Sequence, residues 1–73
     1  MDLDARFLLC PMPVIRLSAA IGQIPAGELL TVRCTDPGAL YDIPAWCRLE
    51  GHAIVETRTE PDGEIVIVVR AGR

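Results

Sequence analysis

The chain has 73 residues, 51% of them hydrophobic, with mean hydropathy +0.34, so disorder is excluded and one small folding unit is expected over residues 1–73. Seven Lys+Arg against ten Asp+Glu give a net charge of −3. With only Phe7, Tyr41 and Trp46 as aromatics, this composition argues against direct nucleic-acid binding, which needs clustered cations and stacking rings. The three cysteines, at 10, 34 and 47, form no disulfide framework and point to the cytoplasm. Asp2, Asp4 and Arg6 argue against a signal peptide, and the apolar runs are too short to span a bilayer, so no membrane partner is expected.

In chain order, residues 2–8 read as a first strand. A helix is predicted from Pro13, because proline is favoured where its missing N–H would be unpaired. Val14, Leu17, Ile21 and Ile24 form its apolar stripe, and Pro25-Ala26-Gly27 ends it. Residues 28–34 read as a second strand, with Leu30, Val32 and Cys34 on one face and Leu29, Thr31 and Arg33 on the other. Asp36-Pro37 is a helix-start signal. Pro44 lacks an N–H, so a short turn near 37–41 and a fresh helix start at Pro44, capped by Asp42, are expected. Trp46, Cys47 and Leu49 would supply its apolar contacts before Gly51 stops it. Residues 53–60 alternate, with Ala53, Val55 and Thr57 on one face and Ile54, Glu56, Arg58 and Glu60 on the other. Pro61-Asp62-Gly63 makes a hairpin turn to residues 64–70, the most apolar strand and the central one. The order βαβαββ implies an α/β two-layer sandwich, two helices on one face of a four-stranded mixed sheet, with the first two strands parallel. The other face, partly apolar at Val66 and Val68, could serve a partner.

The segment LLCPMPVI carries the chemistry. Cys10 precedes a helix start shaped by Pro11, Met12 and Pro13, near the unpaired N–H groups of Met12, Val14 and Ile15. An unperturbed thiol is only ~3% thiolate at neutral pH. A helix terminus offers at most ~2 kcal/mol, which would lower the thiol pKa by up to ~1.5 units and raise the thiolate share to tens of per cent. Free cysteine is equally a small core hydrophobe. Cys34 and Cys47 fit that role better, on a strand's core face and beside Trp46. Zinc needs ligands at close spacing, and only Cys47 and His52 approach it, so no metal site is predicted. His52 reads as a residue at the start of a strand rather than a catalyst.

CPMP at 10–13, the amphipathic helix, Pro-Ala-Gly-Glu at 25–28, TDPGALYDIPAWC at 35–47 and Gly-His at 51–52 resemble the TusA family of SirA-like sulfur carriers over essentially the whole chain. The resemblance implies that Cys10 carries sulfur as a persulfide. The sulfur would come from a cysteine desulfurase or rhodanese-like donor and pass to a downstream acceptor protein. Such relays serve tRNA thiolation, molybdenum-cofactor assembly or sulfur oxidation, and no cofactor is implied. Asp36, Pro37, Asp42, Ile43 and Pro44 match the second motif and are read as structural. Many members have glycine where this chain has Phe7 and arginine where it has Leu9. Two other readings stand beside the carrier: a non-catalytic binding module using the open sheet face, and a thiol redox switch.

Overall fold

The computed structural model describes residues 1–72. In chain order the elements are β1 (Asp2–Ala5), α1 (Met12–Ile21), β2 (Leu29–Cys34), α2 (Ala39–Glu50), β3 (Ala53–Thr59) and β4 (Ile65–Arg70). The sheet order is β1-β2-β4-β3, with β1 parallel to β2 and both other pairings antiparallel. Both helices pack on one face, which is the expected βαβαββ sandwich. Its interior joins Leu17, Ala20 and Ile21 of α1 and Ala39, Ile43 and Cys47 of α2 to Leu30, Val32 and Cys34 of β2 and Ile65, Ile67 and Val69 of β4.

β4 is central, as its unbroken apolar run requires: Ile65, Ile67 and Val69 face the helices, and Val66 is also buried on the other face. In register Val66 lies between Arg33 and Arg58, whose apolar stems flank it. Their charged ends are taken up within the sheet, Arg33 with Glu64 at 2.9 Å and Arg58 with Glu56 at 2.6 Å and Glu60 at 2.7 Å. The open face is therefore a mosaic of paired charges over a narrow apolar strip.

Five local expectations differ from the structure. β1 stops at Ala5 rather than residue 8. The Asp4 carboxylate there accepts from both the Arg6 backbone N–H and its guanidinium, and Phe7 turns the chain at φ 65°. Those donors hold the Asp4 carboxyl at about 2, well below the usual range. α1 begins one residue before Pro13 and ends at Ile21, before Pro25 is reached, because the Gln23 and Ile24 N–H groups tighten onto the Ala20 and Ile21 carbonyls.

α2 runs unbroken through Pro44. Ala39, Ile43 and Cys47 recur every four residues and are all buried. A helix-interior proline costs ~3 kcal/mol, and burying Ile43 alone returns ~1.5–3 kcal/mol. Within the same helix Leu49 is 83% exposed and contributes no core contact. In β3 the register slips between Ile54 and Glu56. This bulge puts Ile54 and Thr57 together opposite Val69 and Ile67, on the helix-covered face, which strict alternation had separated.

One acidic side chain ties the β1–α1 loop to the start of α2. Asp36 accepts the Cys10 N–H on Oδ2 at 2.9 Å and the Gly38 N–H on Oδ1 at 3.1 Å, and its carbonyl accepts the Ala39 N–H. These donors, that of Cys10 foremost, lower the Asp36 pKa from 3.8. A depressed carboxyl pKa stabilises the fold above its unfolded value, and that stability is lost as pH falls through the folded value. The urea midpoint of the wild type should therefore fall toward that of Asp36→Asn as pH drops from about 5 to about 2; parallel profiles would contradict the tie. For the core, Leu17→Ala should cost ~2–5 kcal/mol in urea unfolding, whereas Leu49→Ala should stay within about 0.5 kcal/mol. Equal losses at the two positions would contradict the packing described.

Candidate functional site

β1 and β2 run parallel, so α1 and α2 both begin at the same end of the sheet. The loop carrying Cys10 and the segment carrying Asp36 are thereby brought face to face. This is the end of a parallel strand pair at which α/β proteins commonly place their chemistry. The loop is pinned by Phe7, whose N–H donates to Thr35 Oγ1 at 2.9 Å, and by the bond from Cys10 N–H to Asp36. Glycine is the residue that tolerates positive φ without strain. Phe7 takes that conformation here and is 85% exposed.

Cys10 is exposed at this corner, while Cys34 and Cys47 are fully buried. Burial pushes both buried thiols up to about 11. Pro11 occupies the N-cap position of α1, Met12 is its first residue, and Pro13, second in the helix, is buried and anchors the turn in the core. The Cys10–Pro11 peptide bond is cis. Leu9 is 75% exposed, so Phe7 and Leu9 give the approach to the sulfur an apolar rim.

The electrostatics run opposite to the sequence-based expectation. Two of the three N–H groups assigned to the sulfur are already engaged: Met12 N–H donates to the Leu9 carbonyl at 2.8 Å and Ile15 N–H to the Pro11 carbonyl at 3.2 Å. At most the Val14 N–H is left. Against this stands a carboxylate: the Cys10 S–H donates to Asp42 Oδ2. The Cys10 thiol is held above its ordinary value, first by that hydrogen bond, then by partial desolvation and by the negative charges of Asp42 and Asp36. A helix terminus presents about half an elementary charge, and two full carboxylate charges outweigh it. The site therefore favours the protonated thiol over the thiolate.

Sequence reasoning singled out Cys10, Pro11, Met12 and Pro13, and the structure places all four at one helix start. It missed Asp36 and Asp42 as neighbours of the sulfur. Both were recognised within Asp-Pro and Asp-Ile-Pro segments, but as helix caps. Neither caps α2 by its side chain; the N-cap position belongs to Gly38. A Cβ built on Gly38 would lie 3.5 Å and 3.6 Å from the two Asp36 carboxylate oxygens and 3.7 Å from Asp42 Oδ2, so both carboxylates converge above this residue. The signal available in sequence was their six-residue separation flanking a helix start.

The remaining candidates are structural. His52 stacks on Trp46 with ring centroids 5.3 Å apart, and its Nδ1 accepts the Gly72 N–H at 2.9 Å. Among the described residues no group of three or more His, Cys, Asp or Glu could hold a metal ion, and no helix is long and apolar enough to cross a membrane. An open groove of about 450 Å³, lined by Leu40, Pro44, Arg48, His52, Ile54 and Thr57, lies between α2 and β3. Asp42 projects from α2 about 160° around the helix axis from Leu40 and Pro44 and about 120° from Arg48, so the groove and the sulfur occupy different sides of α2.

Comparison with known proteins places this geometry in a family. The pattern described as sulfurtransferase TusA matches residues 1–71. The chain is 44% identical over 59 residues to the sulfur carrier protein TusA of Pseudomonas syringae, covering 81% of this chain and 70% of that one. It is 34% identical over 59 residues to the TusA protein of Allochromatium vinosum, covering 81% and 78%. The crystal structure of the SirA-like protein from Desulfitobacterium hafniense superposes with a TM-score of 0.86 at 26% identity, over 99% of this chain and 97% of that one. The family match over residues 1–71 and these identities, on a βαβαββ sandwich shared with the SirA-like structure, make the chain a member of the TusA family of sulfur carriers.

Proposed function

We propose that the chain acts as a single sulfur-carrier domain, a sulfurtransferase of the cytoplasm that holds sulfane sulfur as a persulfide on Cys10. A cysteine desulfurase or a rhodanese-like protein loads it, and a downstream acceptor protein unloads it. The acceptor would belong to a relay such as tRNA thiolation, molybdenum-cofactor assembly or sulfur oxidation, with no direct contact between this chain and nucleic acid. The observation that carries the reading is the contrast among the cysteines: Cys10 is exposed, while Cys34 and Cys47 have no exposed surface. Sulfur exchange requires in-line attack between sulfur atoms of two proteins, so the carrier atom must be reachable. Pro11, Met12 and Pro13 hold it at a defined helix start, and the exposed Phe7 and Leu9 offer apolar surface to the partner.

A redox switch would need a second thiol able to meet Cys10. Both other cysteines are buried in the core cluster, which disfavours that reading. Incubation with a cysteine desulfurase and cysteine, followed by intact-protein mass spectrometry, tests the carrier directly. An adduct of about 32 Da, one sulfur atom, should appear on the wild type. It should map to Cys10 and be missing from Cys10→Ser. Mapping to Cys34 or Cys47 would refute the assignment.

A further inference from the structure

The contact between Cys10 and α2 assigns a role to a residue that the sulfur-carrier reading does not require. The S–H of Cys10 points at Asp42 Oδ2, across a sequence separation of 32 residues. Asp42 lies one turn into α2, between Ile43, which is fully buried, and Tyr41, which is exposed. Its helix is thus fixed by the core, and the carboxylate is presented to the loop from a rigid element. The loop in turn is held through Cys10 N–H to Asp36. Backbone and side chain of the same cysteine are therefore each bonded to a different carboxylate.

The other charged groups do not compete for this contact. Asp36, on the β2–α2 connection, has its Oδ2 on Cys10 N–H and its Oδ1 on Gly38 N–H. From α1, no acidic residue lies in the first turn. From the β1 end, Arg6 is directed to Asp4 at 2.9 Å and to Glu64 at 3.6 Å. The charges that bear on the sulfur are those of Asp42 and Asp36.

We propose that Asp42 is a positioning residue of sulfur transfer, fixing the Cys10 sulfur through its S–H and accepting, then returning, the one proton that moves during loading. The inference rests on the reading of Cys10 as the sulfur carrier. The exchange balances without any oxidant. A donor persulfide, R–S–SH, approaches with its outer sulfur toward Cys10. The Cys10 S–H proton passes to the Asp42 carboxylate as the Cys10 sulfur bonds to the outer sulfur. The donor's S–S bond breaks, R–S⁻ leaves, and it takes the proton from Asp42. The products are Cys10–S–SH and R–SH, with sulfane sulfur moved and no net oxidation. The same contact keeps the empty carrier quiet. An encounter that does not use Asp42 as proton acceptor meets a thiol rather than a thiolate, and the thiolate is the nucleophile.

The test uses the full chain as wild type, Asp42→Asn, Asp42→Glu and Cys10→Ser, each checked for an unchanged circular-dichroism spectrum. The first arm measures the pH profile of Cys10 alkylation by iodoacetamide, read by mass spectrometry, and does not depend on sulfur transfer. Removing the carboxylate should move the inflection to lower pH and speed alkylation at neutral pH. Asp42→Glu, which keeps the acceptor, should keep the inflection near the wild-type position. The second arm measures loading of Cys10 from glutathione persulfide, normalised to the thiolate fraction found in the first. Asp42→Asn should load on the order of 100-fold more slowly per thiolate, the lower end of what a positioned proton acceptor contributes, with recovery in Asp42→Glu. Identical inflections in wild type and Asp42→Asn, or equal loading per thiolate, would overturn the role given to Asp42. A wild type that alkylates with the expected inflection but never accepts sulfur would instead overturn the carrier reading. If Asp42→Asn fails the spectral check, the wild type compared with Asp42→Glu decides: loss of the elevated inflection in a folded Asp42→Glu overturns the proposal, and its retention with loading supports it.

Discussion

The site depends on a bridge between two parts of the chain that are far apart in sequence. Asp36 takes the backbone N–H of Cys10 with one oxygen and that of Gly38 with the other. That bridge sets the β1–α1 loop against the first turn of α2, and only in that setting does the Cys10 sulfur meet Asp42. Hydrogen bonds to charged acceptors are roughly twice as strong as neutral ones. They are well suited to hold a short loop that has no strand partner of its own beyond Ala5. The core beneath supplies the other half of the constraint, since buried Pro13 and Leu17 of α1 and Ile43 of α2 fix both helix starts.

On the proposed reading of Cys10 as the carrier, this arrangement reconciles two requirements. Its sulfur must be reachable by two different proteins, which calls for exposure. It must also survive between encounters, which calls for low intrinsic reactivity. A cysteine seated only over a helix terminus would meet the first requirement and sacrifice the second, because the half-charge of the helix favours thiolate. The carboxylates at this corner raise the thiol above its ordinary value, so the sulfur is accessible without being strongly ionised. The apolar exposure of Phe7 and Leu9 belongs to the same logic, since surface that costs free energy in water is recovered when a partner covers it.

Much of the fold was legible in the sequence, and the reasons are local. The stripe of α1, the alternation of β2 and the unbroken apolar run of β4 each reflect burial on known faces, and burial is what hydropathy patterns encode. The β3 bulge was not legible, because one extra residue shifts every later side chain and nothing in Ile54-Val55-Glu56 announces it. Nor was the continuity of α2: the proline signal at Pro44 is strong locally, but the buried stripe of Ala39, Ile43 and Cys47 outweighs it through contacts made elsewhere in the chain. At the site, Cys10 with Pro11, Met12 and Pro13 could be picked out because one helix start contains them all. Asp36 and Asp42 were visible as residues, but their partner lies 26 and 32 positions away. A helix-start pattern explains an aspartate equally well when its carboxylate faces a thiol, so the direction of the thiol's shift could be found only in three dimensions.

The central claim is that a single sulfur atom, that of Cys10, is where transferred sulfur resides. The most direct measurement follows radioactive sulfur from labelled cysteine, through a desulfurase, onto this protein on a non-reducing gel. Label is predicted on the wild type, released by dithiothreitol, and absent from a folded Cys10→Ala. Label retained by Cys10→Ala would contradict the claim.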